Sequence, residues 1–221
     1  MGKGAAMIID RNKPLPDHTK IDYDECCALL ILKELFPDRY STLVLSDNPD
    51  LQGLNVGVEV TIADSKNHLE VLNNWVKAYN CENDKEREKH IERMEQLGVP
   101  YTGGVQAWPG YSPSLEEIKE AVNRKVAKLK NGNYKPFTIY ELFIFTNTWM
   151  YDDRVKDAQQ FFKDNNAYES YERIYILEKG YKLFVFEKNN CQQITINITE
   201  QSERNIRARK MVEKAEVEEQ E

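Results

Sequence analysis

The nine residues Asn55-Val56-Gly57-Val58-Glu59-Val60-Thr61-Ile62-Ala63 decide how this chain is read. Val56, Val58, Val60 and Ile62 recur at period two, and Asn55, Gly57, Glu59, Thr61 and Ala63 fill the alternate positions. Successive strand side chains point to opposite faces, so this is a strand with an apolar back and a small, polar front. Glu59 lies in its middle, flanked by valines. A lone carboxylate there loses its hydration unless an opposite charge or a metal ion compensates.

Upstream of the strand lies a turn-rich stretch, Ser46-Asp47-Asn48-Pro49-Asp50, followed by Leu51-Gln52-Gly53. Gln52 either completes this turn or points toward the strand's polar front. Before the turn comes a short β-like run, Ser41 to Leu45, and before that a helix from Asp24 to Phe36, N-capped by Asp22 and stopped by Pro37. That helix is apolar nearly all round in its middle, as a buried helix is. Glu25 shares its stripe with Leu29, Leu32 and Phe36.

Downstream, residues 65–98 read as helix with a break near Cys81 to Asp84, the second part densely charged and solvated. Val99 to Pro113 is a loop of glycine, proline and aromatics; its rings and backbone amides suit nucleotide stacking and phosphate contact, but the favoured expectation is that Trp108 and Tyr111 pack back on the core. Ser114 caps the next helix, with Glu117 completing a capping box, and Asn131-Gly132 ends it. Strands are expected over Thr138 to Thr146, Arg173 to Leu177, Tyr181 to Phe186 and Gln193 to Ile198, with a helix from Asp153 to Asp164 between the first two. The order predicts an α/β fold, a mixed central sheet flanked by helices with extra C-terminal strands. Residues 1–200 are expected to form one domain, and 201–221 a charged helical tail that frays.

With 30 Lys and Arg against 37 Asp and Glu, the 221-residue chain carries a net charge of −7; its apolar fraction of 41% excludes a wholly disordered polymer. No run of apolar residues is long enough to cross a bilayer, and the first residues lack the apolar core of a secretory signal, so a cytoplasmic protein without a membrane partner is expected. The four cysteines and three histidines have no ligand spacing, which argues against a zinc site or a disulfide framework. Net acidity argues against a general nucleic-acid coat protein. Charge is uneven, however: six cations and one anion lie between Lys119 and Lys135. Gly103-Gly104 is not followed by the Lys-Ser/Thr of a P-loop, and neither a serine-hydrolase elbow nor a zincin motif occurs.

Three acids, Glu25, Asp50 and Glu59, are oddly placed for mere solubility, and converging carboxylates share a proton or hold a divalent cation. Pro49-Asp50, eight residues and then Glu59-Val60-Thr61 resembles the signature of the PD-(D/E)xK nucleases, whose fold is restriction-endonuclease-like. The resemblance extends from Asp22 to Thr146. It implies Asp50, Glu59 and the Val60 carbonyl as ligands of Mg²⁺ (or Mn²⁺), Glu25 as an accessory acid, and an endonuclease acting on nucleic acid, DNA first. A homodimer is compatible with it. The family's strand lysine is here Thr61, which cannot replace an ammonium group. Ile118, Val122, Lys125 and Leu129 follow at helical spacing, so Lys125 shares an apolar face and is the candidate for the missing charge.

Simpler roles stand beside these. Asp50 could shape its turn, Glu59 pair with a structural cation, Glu25 complement its helix N-terminus, and Lys125 extend its amine to water. The alternative to an enzyme is a catalytically inactive protein on the same scaffold, binding nucleic acid or a protein partner. A third reading is an assembly module using its charged helices.

Overall fold

The strand at Val56–Ala63 sets the geometry of everything around it. The computed structural model describes residue 15 and residues 19–101, 114–132 and 134–217. Trp108 and Tyr111 lie outside the described residues. The chain divides into two compact units, Met1–Asp17 with Ser65–Ser112, and His18–Asp64 with Pro113–Glu221.

The larger unit begins with α1 (Tyr23–Leu35) and a single turn, α2 (Pro37–Tyr40), and then β1 (Val44–Leu45), β2 (Leu51–Gln52) and β3 (Val56–Ala63) follow. After the second unit's insertion come α5 (Leu115–Asn131), β4 (Ile139–Thr146), α6 (Asp152–Asp164), α7 (Ala167–Ser170), β5 (Arg173–Glu178), β6 (Lys182–Glu187), β7 (Asn190–Thr195) and α8 (Ile198–Val217). The seven strands lie side by side in chain order. β3, β4 and β5 are parallel at the centre, while β1-β2-β3 and β5-β6-β7 are antiparallel. The molecule is therefore α/β with a mixed sheet flanked by helices.

Period-two alternation decides which face each helix covers. Val56, Val58 and Val60 pack with Ala28, Leu29 and Leu32 of α1. On the other face Ala63, Leu142 and Ile144 pack with Ile118 and Val122 of α5 and with Ala158 and Phe162 of α6. Asp22 caps α1 by accepting the N–H groups of Asp24 (2.7 Å) and Glu25 (3.2 Å). The Ser114–Glu117 capping box starts α5.

β7 spans Asn190–Thr195 rather than Gln193 to Ile198, because its register is set by β6 (Phe186↔Cys191, Lys182↔Thr195) and not by a hydrophobic pattern of its own. α8 runs through residue 200, where the sequence places the start of a tail. It buries Ala208 and Val212, and its Arg204 and Arg207 both pair with Glu34 of α1. Among the described residues, no helix is long and apolar enough to cross a membrane, and all four cysteines are free thiols.

The smaller unit contributes two helices, α3 (Lys66–Asn80) and α4 (Asp84–Gln96), separated at Cys81 to Asn83. They enclose Val71, Ala78, Met94 and Val99, and Asn74 Oδ1 meets His90 Nδ1 at 2.9 Å between them.

Gly57 ties the sheet to the turn before it. A Cβ there would stand 2.5 Å from Pro49 Cγ and 3.0 Å from the Phe137 ring. Gly57→Ala is expected to destabilise the fold by about 1–3 kcal/mol in urea unfolding, since the Pro49 ring is closed onto its own backbone and cannot retreat by side-chain rotation.

Candidate functional site

Asp50 closes the turn that delivers the chain into β2. Gln52 Nε2 braces that turn by donating to the carbonyls of Asp47 (3.0 Å) and Pro49 (3.3 Å), and the Ser46 N–H donates to the Asp50 carbonyl at 2.9 Å. Gln52 therefore completes the turn. β2 pairs with β3 only at Val58 and Gly57, so the edge of β3 beyond Val58 has no strand partner on that side. Asp50 occupies this gap: its Oδ2 accepts the Val60 N–H at 2.6 Å. The N–H and C=O of one strand residue face the same edge, so the Val60 carbonyl also faces this gap.

Glu59 points to the α5 face and has no solvent-exposed surface. Lys125, one-eighth exposed, answers it from α5: its Nζ donates to Glu59 Oε2 at 2.6 Å and to Asp50 Oδ2 at 3.3 Å. Lys128, one turn on, adds a longer ion pair to the same Glu59 oxygen at 3.6 Å. The Tyr171 hydroxyl donates to the Lys125 carbonyl at 2.9 Å and fixes that turn of helix. Asp50, Glu59, Lys125 and the Val60 backbone thus converge, although they come from a turn, a strand and a helix.

Glu59 Oε1 is buried and has no hydrogen-bond partner among the described residues, and the same holds for Tyr134 Oη. Burial first, and the Glu59 charge second, raise the pKa of the Tyr134 hydroxyl. The Tyr134 hydroxyl thus lies beside the Glu59 carboxylate, whose charge and whose nearness as an acceptor both contribute to the shift. An orphaned buried carboxylate oxygen is unfavourable by about 1–3 kcal/mol and retains the capacity to accept a further partner, such as a water or an ion.

Glu25 lies on the wall of the same cleft, a space of about 340 Å³ lined also by Asp22, Asp50, Thr61, Arg124 and Lys125. Burial, then Asp50 and Asp22, push the Glu25 carboxyl up to about 8, against the opposing pull of Lys125. Asp24 is raised to about 7 by burial and by Asp22. Among the described residues no three His, Cys, Asp or Glu side chains form a ready metal cage. What the site offers is two carboxylates and a carbonyl.

Arg124 is a cleft-lining residue the sequence did not single out. Its Nη2 donates to Thr61 Oγ1 at 3.0 Å, and no carboxylate pairs with it among the described residues. It is exposed at the cleft mouth. The only sequence signal was its place in the basic stretch. The contact with Thr61 joins residues 63 positions apart, which local spacing does not reveal.

Two measurements check this geometry. In a double-mutant cycle, Lys125→Met and Glu59→Gln should couple by about 2 kcal/mol, because the single lysine variant strands a buried charge; additivity within about 0.5 kcal/mol would contradict the pairing. The second is pH dependence in EDTA. A carboxyl raised in the folded state costs stability as pH climbs from its ordinary 4.5 toward about 8. Glu25→Gln should therefore match the parent in acid and gain on it through that window; a constant offset would show that Glu25 is not strained. Compared with protein-family models, curated proteins and solved structures, the chain matches none.

Proposed function

We propose that this chain is a metal-dependent nuclease of the PD-(D/E)xK type, hydrolysing phosphodiester bonds in nucleic acid, with DNA first, on a restriction-endonuclease-like core. The observation that carries the reading is Lys125 Nζ at 2.6 Å from Glu59 and 3.3 Å from Asp50. An ammonium supplied from α5 beside the acid-x-Thr segment supports the reading, because it brings to both acids the charge that Thr61 lacks. The element order supports the same reading: α1, an antiparallel β1-β2-β3, then α5 leading to a parallel β4.

The residues fit a hard dication. Asp50, Glu59 and the Val60 carbonyl are all oxygen donors, and Mg²⁺ is commonly held by one or two carboxylates together with substrate phosphate. The unpartnered Glu59 Oε1 is the atom with capacity to spare. When bound, Mg²⁺ or Mn²⁺ would supply Lewis acidity toward a phosphate oxygen and lower the pKa of a water. Lys125 contributes a fixed positive charge beside the developing phosphorane, inside a site where charge is poorly screened. Arg124, anchored by Thr61, offers its remaining N–H donors to a phosphate at the mouth. Glu25 orients water from the cleft wall; its raised pKa lets it hold a proton near neutrality.

A second reading is favoured by one observation: Lys125 already satisfies an oxygen of each acid, as it would in a scaffold that binds nucleic acid without cutting it. Calorimetric titration with Mn²⁺, followed by a cleavage assay on plasmid and oligonucleotide DNA, separates the two. The nuclease reading expects Mn²⁺ binding that disappears in Glu59→Gln. It also expects cleavage reduced at least about 10³-fold by Asp50→Asn or Glu59→Gln, and about 10²–10³-fold by Lys125→Met. Full activity in both acid variants overturns it.

A further inference from the structure

Residues 147–151, between β4 and α6, are pinned along their length. Asn147 Nδ2 donates to Asp64 Oδ2 at 2.8 Å, the Thr148 N–H donates to Thr146 Oγ1 at 3.1 Å, and Thr148 Oγ1 donates to the Ser114 carbonyl at 2.9 Å. The Met150 N–H donates to Oε2 of the fully buried Glu178 at 2.8 Å, and the Met150 side chain enters the core. Trp149 and Tyr151, on either side of Met150, are therefore turned outward. They are 37% and 58% exposed.

The two rings lie 13° from parallel with centroids 6.2 Å apart. Lys179 Nζ lies over the face of the Trp149 ring, 3.7 Å from its centre, on a flexible stem that a stacking base would displace toward its own phosphate. The Arg154 guanidinium lies 5.9 Å from that of Tyr151, and its Nη1 donates to the Trp149 carbonyl at 3.0 Å. Asp152 and Asp153, the nearest acids in sequence, belong to the first turn of α6, whose N-terminal dipole they complement. A single exposed ring needs no explanation. Two parallel rings on a braced backbone, each accompanied by a cation, have the composition of a site that stacks bases and neutralises the phosphates between them.

We infer that Trp149 and Tyr151, with Lys179 and Arg154, form a stacking platform for single-stranded nucleic acid. Duplex is disfavoured as the occupant because its bases are already stacked and paired, whereas a single strand offers free π-faces. The platform follows Thr146, which pairs with Ala63, four residues along β3 from Glu59. Chain geometry holds it within roughly 30 Å of the cleft, so one strand of several nucleotides can reach both. The inference takes its ligand class from the nucleic-acid reading above but does not depend on cleavage.

The test is fluorescence anisotropy of the full chain in EDTA, with a labelled oligothymidylate of about twenty nucleotides and a hairpin duplex. Trp149→Ala and Tyr151→Ala should each weaken single-strand binding roughly 5-fold to 100-fold and change duplex binding less than about twofold. Trp149→Phe, which keeps a ring, should retain most of the affinity, and Leu54→Ala, at another exposed apolar residue, should change nothing. Trp149→Phe and Tyr151→Ala keep the test decisive should Trp149→Ala not fold. A parent protein that does not bind the oligonucleotide, unchanged affinity in the ring variants, or an equal loss toward duplex each overturns the platform. Ring-dependent binding without Mg²⁺-dependent cleavage would retain the platform and remove the nuclease. Cleavage lost in Glu59→Gln but indifferent to the rings would do the reverse.

Discussion

An ionised carboxylate with no solvent-exposed surface loses several kcal/mol of hydration, and Glu59 is such a group in the middle of the central strand. The fold is arranged around meeting that cost. α5 must lie against β3 in the one rotation that turns Lys125 inward, and the capping box at Ser114 and the Tyr171 bond to the Lys125 carbonyl fix its start and its middle. Asp50 must then share the same ammonium, which the braced turn before β2 and the gap along the β3 edge allow. A purely structural requirement would be met more cheaply by an apolar residue at position 59, since a well-packed hydrophobic substitute commonly matches or exceeds a buried ion pair in stability. A buried charge at this position is thus in keeping with the proposed chemistry.

Two other glutamates are equally buried and sharpen that argument. Glu141 accepts from Arg39 and, through its second oxygen, from Tyr40, whose hydroxyl also meets that of Tyr175. Both of its oxygens are engaged, so it is a closed structural network. Glu178 shares with Glu59 one unpartnered oxygen, but its other oxygen holds the Met150 backbone and its ion pair to Lys182 is long, at 3.8 Å. It braces the segment that presents Trp149 and Tyr151. Glu59 alone among the three combines a spare oxygen with a second carboxylate and an adjoining cleft.

Much of this was legible where local rules act. Period-two alternation read β3, a strand-forming composition read β4, and the Asp22 and Ser114 caps read the starts of α1 and α5, because these signals need no knowledge of distant residues. The convergence of Asp50, Glu59 and Lys125 was reached through resemblance and helical spacing, and the distances now attach to those residues. What escaped depends on tertiary partners. β2 is two residues long, too short to register beside strong turn residues, and exists because Leu51 and Gln52 find partners on both sides. The charged helix expected after residue 200 is there as α8, but its docking was not legible, because it depends on Ala208, Val212 and two arginines meeting Glu34. Separation of α3 and α4 into another unit follows from a small core of their own, which amphipathic pattern alone does not distinguish from packing on the sheet.

Moving the cation from strand to helix has a consequence for the proposed chemistry beyond replacing a charge. A lysine at position 61 would share its strand and face with Glu59, two residues away, and would have to reach sideways to serve both acids. From α5 the ammonium descends between them and hydrogen-bonds each. Position 61 is then free to hold something else, and it holds Arg124, whose guanidinium remains at the mouth of the cleft with donors to spare. The interior charge is compact and fixed by two carboxylates. The outer one is planar and forked, suited to a phosphate that arrives and leaves. Thr61, the residue at which the proposed resemblance fails, is on this view what links two cations, one inside and one at the mouth.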